Sequence, residues 1–321
     1  MKPLHELNEM KLSLCRIFAD PKSQPGRASS VATPKKFVTS VDSSCPTVEF
    51  GRILGSGGFG KVYEGFFNGK KVAVKRLTAK AKLRNSNAPR ESLQAESLLL
   101  EYSHRNLVKT LAILRGSTIE DCMIVMEFAG ERNLQSIIDD DSIPLPEQRR
   151  VKTILDIACG LEFMHKQGLA HLDIKPANVI VNSDNECKIC DFGCCQYVEL
   201  EDSKDFQPPS PTNISLAGTF SYRAPELLKG EFPSTKADIY SLGVCLWQML
   251  VREQPYGMES HFVIIFSVVQ RHLRPQFPAA ILEDERNLDY VELTTSLWHA
   301  EASKRPAVKD LVLSLQNWSS L

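Results

Sequence analysis

The stretch His171-Leu172-Asp173-Ile174-Lys175-Pro176-Ala177-Asn178, followed shortly by Asp191-Phe192-Gly193, constrains this chain more than any other. It gathers two carboxylates, an ammonium and an amide. Asp173 offers a carboxylate that can accept a hydroxyl proton, Lys175 an ammonium that can neutralise a phosphate, and Asn178 with Asp191 oxygen ligands that can hold magnesium. Together these are the parts phosphoryl transfer requires. Each residue alone reads as a polar loop residue; their joint order and spacing do not. Side chains of this kind act together only on a rigid scaffold, so the flanking sequence must supply one.

From Val48 the chain breaks into short β-branched and aromatic runs separated by glycine: Val48 to Leu54, Val62 to Phe67, and Lys71 to Leu77 after an Asn68-Gly69 turn. Such runs read as successive antiparallel strands joined by tight hairpins. Between the first two lies Gly55-Ser56-Gly57-Gly58-Phe59-Gly60-Lys61-Val62. Glycines there let backbone amides approach a phosphate closely, though a bare hairpin tip would use the same letters. A dinucleotide fold needs a helix straight afterwards, and Lys61 to Phe66 alternates like a strand, which favours a flap over a nucleotide. Lys75 ends the apolar run Val72-Ala73-Val74. Taken alone, a strand lysine most often faces solvent; Glu91, Glu96 and Glu101 lie further on, in a segment with helical periodicity from Glu91 to Tyr102. Further strands are expected at Leu107 to Leu114 and Cys122 to Met126, and an amphipathic helix at Arg149 to Lys166, with His165 on its apolar stripe and Gly168 as C-terminal cap.

Composition narrows the class. With 321 residues, 43% hydrophobic and 24% charged, the chain can bury a sizeable core. A net charge of −1 gives no bulk attraction to nucleic acid or an anionic membrane. Apolar runs fall short of the roughly 18 residues a membrane helix needs, and the N-terminus does not build a signal segment, so a cytoplasmic protein is expected. Nine cysteines, scattered through apolar or strand-like contexts, suit buried thiols better than a disulfide framework. Cys187-x-x-Cys190 with Cys194-Cys195 has half of a zinc pattern, but adjacent strand cysteines point to opposite faces, and structural zinc is not expected. Residues 1–47 carry seven Lys or Arg against four Asp or Glu, a charge of +3 that leaves −4 for the rest. They read as a flexible, Ser/Pro-rich basic arm, with a short docking helix near residues 4 to 18 as the alternative.

Asp173-x-x-x-x-Asn178 followed by Asp191-Phe192-Gly193 resembles the protein kinase signature, and Gly55 to Val62, Lys75 and Ala224-Pro225-Glu226 extend it over about residues 48 to 318. The wider runs Cys187-Lys188-Ile189-Cys190 before Asp191, Tyr222-Arg223-Ala224-Pro225-Glu226-Leu227-Leu228-Lys229-Gly230, and Ala237-Asp238-Ile239-Tyr240-Ser241 with Leu246-Trp247-Gln248-Met249 are similar to the Mos family of kinases. The resemblance implies an α+β, bilobal protein kinase fold. Its small lobe, 48–127, has five antiparallel strands and one main helix; a hinge follows at 127–132; the larger, mainly α-helical lobe is 133–318. ATP would lie against Leu54, Gly55, Ser56, Gly57, Gly58, Phe59, Gly60, Val62, Ala73, Lys75, Met126 as gatekeeper, Glu127 and Ala129. The resemblance gives Lys75 a carboxylate partner on a helix, and among the three glutamates it selects Glu96, eight residues before His104. Asp173 and Lys175 would be catalytic, Asn178 and Asp191 would hold Mg2+, and Thr219 would form the substrate platform. Glu226 would pair structurally with Arg305, and Asp238 would tie itself to the catalytic-loop backbone. Lysine at 175 points to serine/threonine acceptors. The family's role implies a cytoplasmic, monomeric kinase that phosphorylates a MAP kinase kinase in oocyte meiotic maturation and arrest, without nucleic acid or membrane partners. Two alternatives differ from it: another tyrosine-kinase-like-group kinase of Raf-like or receptor-interacting type, and a pseudokinase scaffold. The scaffold would be marked by loss of Lys75, Asp173 or Asp191, all of which are present.

One position departs from kinases switched on through their activation loop. Leu172 stands where those carry Arg, and leucine cannot pair with a phosphate. Control is therefore expected from synthesis, turnover or the N-terminal arm. Protein stripped of phosphate and kept from rephosphorylating should retain most of its activity in a radiolabelled-phosphate assay. Inactivity until Ser210, Ser215, Thr219 or Ser221 is phosphorylated by another kinase would overturn this.

Overall fold

A computed structural model describes residues 48–57, 60–77, 88–199, 220–257 and 259–318. The expected N-terminal arm, Gly58, Phe59, Thr219 and most of the loop after Cys194 lie outside the described residues. Contacts divide the chain into two compact units, one from the described residues of Met1–Leu83 with Thr110–Glu127, the other from those of Arg84–Lys109 and Phe128–Leu321.

The first unit is a five-stranded antiparallel sheet of β1 (Val48–Gly57), β2 (Gly60–Phe67), β3 (Lys70–Leu77), β4 (Thr110–Leu114) and β5 (Met123–Glu127), in the order β1-β2-β3-β5-β4. Phe67 pairs with Lys70, so Asn68 and Gly69 form a two-residue turn; both have positive φ, 50° and 72°, as a hairpin turn matched to strand twist requires. β1 runs three residues beyond the expected Leu54, because the first glycines continue the ladder until Gly57 pairs with Gly60. Glycine is required at 60: a Cβ there would lie 2.0 Å from the Arg76 carbonyl oxygen. β4 starts at Thr110, later than the sequence reading, since Leu107 instead bridges to Ile189 in the second unit to which it belongs. Val72, Val74 and Val125 form the apolar side of the sheet.

The second unit is mostly helical. Helix α1 (Ala88–Ser97) begins three residues before the expected Glu91 and stops five short of Tyr102. Proline 89 near the first position suits a helix start. After Ser97 the bonds tighten to three-residue spacing at Leu98, Leu99 and Leu100, and three consecutive leucines cannot share one helical stripe. Helices α2 (Leu134–Ile138), α3 (Glu147–Lys166), α4 (Pro225–Lys229), α5 (Thr235–Val251), α6 (His261–Gln270), α7 (Ala279–Leu282), α8 (Leu288–Leu297) and α9 (Val308–Trp318) follow. Gln167 caps α3, and Gly168 takes the left-handed turn at φ 70° just beyond it. Short strands β6 (Arg132–Asn133), β8 (Val179–Val181) and β9 (Cys187–Ile189) make one small sheet, and β7 (Leu169–Ala170) pairs with β10 (Gln196–Tyr197). The β8–β9 hairpin holds the catalytic stretch at its two ends.

Helix α5 is buried almost all round, as the central helix of a domain must be: Ile239, Tyr240, Leu242, Val244, Cys245, Leu246 and Met249 are all inside. Its last cap, Arg252, adopts φ 62° and donates to the carbonyls of Ile137, Ile138, Asp140 and Ile143, which closes the C-terminal end of α2. Glu226 on α4 and Arg305 form the expected pair, two-pronged, at 2.6 and 2.9 Å. Arg305 spends its remaining N–H groups on the carbonyls of His299, Lys236 and Ala300, and its guanidinium lies over the Tyr240 ring. Replacing a fully buried partner of such a pair leaves the other charge uncompensated. Arg305→Met should lower unfolding free energy by about 3–5 kcal/mol, read as a lower urea midpoint at unchanged slope.

Candidate active site

In the first unit the register sorts the expected nucleotide residues. Directly opposed residues share a sheet face. Val62 opposes Lys75, Ala73 opposes Met126, and Lys75 opposes Ile124, so Val62, Ala73, Lys75 and Met126 look out from one face, opposite the Val72, Val74 and Val125 cluster. Lys75 and Met126 are buried; Leu54, Gly55, Val62 and Ala73 are half-buried, and Ser56 and Gly57 exposed. Glu127 ends β5 and is half-buried. Ala129, three residues beyond Met126, belongs to the second unit, and Glu96 is fully buried there on α1.

The second unit assembles the stretch from Asp173 to Asn178. Lys175 Nζ donates to Asp173 Oδ2 at 2.7 Å. Asn178 Nδ2 donates both to the Asp173 carbonyl, 2.8 Å, and to its Oδ2, 2.9 Å. Lys175 and Asn178, two and five residues after Asp173, thus converge on its carboxylate because Pro176-Ala177-Asn178 folds as a turn of 3₁₀ helix. Asn178 is also stitched to the segment before Asp191, its carbonyl accepting from the Cys190 amide at 2.9 Å.

Several groups fix this loop from behind. The His171 ring accepts from the Asp173 amide at Nδ1, 3.2 Å, so its Nε2 carries the proton and donates to the Cys190 carbonyl, 3.1 Å. Asp238, fully buried in the first turn of α5, accepts from the amides of His171 at 2.9 Å and Leu172 at 2.8 Å, and from His165 Nε2 at 2.9 Å. The sequence places His165 only on an apolar stripe; a histidine buried in such a stripe needs a polar partner, and that is the signal for its role. Leu172 sits at φ 63°, a conformation that costs a non-glycine residue about 1 kcal/mol, and its half-buried side chain packs on the central core.

Asp191 also has positive φ, 61°, and Phe192 behind it is fully buried edge-on to His171 at 5.6 Å. Gly193 has no room for a side chain: a Cβ would lie 2.5 Å from the Ser92 hydroxyl of α1. That contact between α1 and the Asp-Phe-Gly turn has no signal in the sequence. Burial, reinforced by the charges of Asp173 and Asp191, pushes the Cys194 thiol up to about 12, and burial takes Cys187 to about 11. These thiols stay protonated at neutral pH, and the chemistry nearby belongs to oxygen and nitrogen groups. Both amide hydrogens of Asn178 point at Asp173, which leaves its hard amide oxygen, with the Asp191 carboxylate, as a donor set suited to Mg2+. Thr219 cannot be placed, since it lies outside the described residues.

The sequence matches the protein kinase domain family over residues 48–315. It is 45% identical over 267 residues to the serine/threonine-protein kinase mos of Patiria pectinifera, covering 82% of this chain and 73% of that protein. The proto-oncogene serine/threonine-protein kinase mos of Sus scrofa is 38% identical over 280 residues, 82% of this chain and 78% of its own. That of Mus musculus is 37% identical over 277 residues, again 82% and 78%.

Asp238→Asn keeps the volume but turns one acceptor into a donor that faces other donors. Each buried hydrogen bond lost costs roughly 1–3 kcal/mol, so the His171 and Leu172 amides should exchange with solvent about 10 to 100 times faster, measured by hydrogen-exchange mass spectrometry.

Proposed function

Because this chain belongs to the protein kinase family, and within it to the Mos serine/threonine kinases, we propose that it phosphorylates a MAP kinase kinase and so drives the MAP kinase cascade in oocyte meiotic maturation and arrest. It is a serine/threonine protein kinase. The observation that carries the mechanism is the convergence of Lys175 and Asn178 on the Asp173 carboxylate.

In the proposed reaction the substrate hydroxyl sits against Asp173, which orients it and takes its proton. The hydroxyl oxygen forms a bond to the γ-phosphorus of ATP as the bond to the bridging oxygen of ADP breaks, the proton leaving through Asp173 to solvent. Lys175, already 2.7 Å from that carboxylate, spreads its charge over the transferring oxygens. Asn178 and Asp191 are the proposed Mg2+ ligands, and the ion would neutralise charge between the β- and γ-phosphates. Leu54, Gly55, Ser56, Gly57, Gly60, Val62, Ala73, Lys75, Met126, Glu127 and Ala129 are the proposed ATP contacts, with Glu96 alongside; Gly58 and Phe59 complete the glycine loop, and Thr219 the substrate platform. Leu172, which is packed on the core and cannot meet a phosphate, supports control without an activation-loop switch. A cytoplasmic location and a monomeric state belong to the same proposal. Among the described residues no helix is long and apolar enough to cross a membrane.

Incubated with ATP, magnesium and a catalytically dead MAP kinase kinase, the protein should label the substrate on serine or threonine. Asp173→Ala should lower kcat by about 10² or more while ATP affinity stays within a few-fold. The control is Asp310→Ala, an exposed carboxylate in the first turn of α9. No label from folded, ATP-binding protein would count against the MAP kinase kinase assignment.

A further inference from the structure

Four polar side chains outside the catalytic cluster form a chain through the second unit. The buried Tyr222 hydroxyl donates to Gln248 Oε1 on α5. Gln248 Nε2 donates to Gln135 Oε1 on α2 at 3.4 Å, and Gln135 Nε2 donates to Asp139 Oδ1 at 2.7 Å. Its direction is dictated from one end. A carboxylate only accepts, so Gln135 must offer Asp139 its NH2 group and turn its oxygen to Gln248; Gln248 must then offer its own NH2 and leave its oxygen for the phenol. Reversing either amide would bring two oxygens or two NH2 groups together.

What the chain holds matters for the reaction. Tyr222 is fixed twice by α5, its hydroxyl by Gln248 and its carbonyl by Ser241 Oγ at 2.8 Å. Asp238, Ser241 and Gln248, spaced by three and seven, lie on one stripe of that helix. One helix face therefore holds both the catalytic loop, through Asp238, and the Tyr222 segment, through Ser241 and Gln248. The two segments meet at a small pocket walled by Leu172, Asp173, Ile174, Tyr222 and Arg223. A shift of Tyr222 moves the wall beside Asp173.

We propose that Gln248 is a positioning residue for the acceptor-side segment 220–224, oriented by Gln135 and ultimately by the charge of the exposed Asp139, so that this relay sets how a protein substrate seats against Asp173. The inference rests on the kinase reading above. It acts through binding of the acceptor protein and leaves the nucleotide side alone.

Reversal of the relay tests it. Gln248→Glu keeps an acceptor for Tyr222 but forces Gln135 to turn its NH2 toward residue 248 and its oxygen toward Asp139, which breaks the last link. Adding Asp139→Asn supplies an NH2 there and restores every bond, the 248–135 and 135–139 links with the opposite polarity and the Tyr222 link with its direction unchanged. Gln248→Glu should raise KM for the protein substrate about tenfold, with KM for ATP within twofold; the double variant should return to within about twofold of the parent. Melting temperatures check that all forms fold. An unchanged KM in Gln248→Glu, or a double variant no better than the single, overturns the relay. Exchange rates of the Tyr222 and Arg223 amides, measured in the same proteins, should rise in the single variant and recover in the double. That readout needs no activity, so it tests the relay even if the kinase assay fails; equal exchange in all forms overturns it.

Discussion

A buried carboxylate accepting three hydrogen bonds governs the candidate active-site loop of this protein. Asp238 has no access to water, so its charge must be met by donors, and it takes them from the amides of His171 and Leu172 and from the ring of His165. The first-turn position on α5 adds the favourable end of the helix dipole. Those bonds hold Leu172 at a positive φ that leucine avoids, and the strained residue turns the chain so that Asp173 follows in register with Lys175 and Asn178. Strain of about 1 kcal/mol is small against three charge-assisted bonds, each worth roughly 1.5–3 kcal/mol. The clamp wins, and the loop has one shape.

The same helix distributes this order. Its apolar residues fill the core and its polar ones at 238, 241 and 248 emerge on one stripe, where Asp238 grips the loop at His171 and Leu172 while Ser241 and Gln248 both grip Tyr222. Arg252 at its end closes α2 by meeting carbonyls that would otherwise lack donors. Arg305 does comparable work below, with all of its N–H groups engaged and a ring beneath it. Polar groups this deep are specific because each is saturated by geometry and leaves no alternative arrangement.

The convergence of side chains in the candidate site was legible because it is local. Asp173, Lys175 and Asn178 lie within a few residues of each other, so a short turn suffices to bring them together, and no long-range packing has to be guessed. The Asn68-Gly69 hairpin and the strands beside it follow from turn chemistry and alternation. Helix α1 was misplaced by a few residues because Leu98-Leu99-Leu100 extends an apolar signal without a helical period. The role of His165 was hidden for a related reason: on a stripe, a buried polar residue looks like one more core position.

Residue types and spacing by themselves determined the kinase family, the five strands and the candidate residues at 173, 175 and 178, since these depend on neighbours along the chain. Tertiary structure alone decided which buried groups satisfy one another. His165 reaches Asp238 across 73 residues, Gln248 reaches Gln135 across 113, and the Ser92 hydroxyl fills the space a side chain at Gly193 would need. No periodicity encodes such pairs, because the energy that selects them appears only when water has been excluded and each donor must find its acceptor.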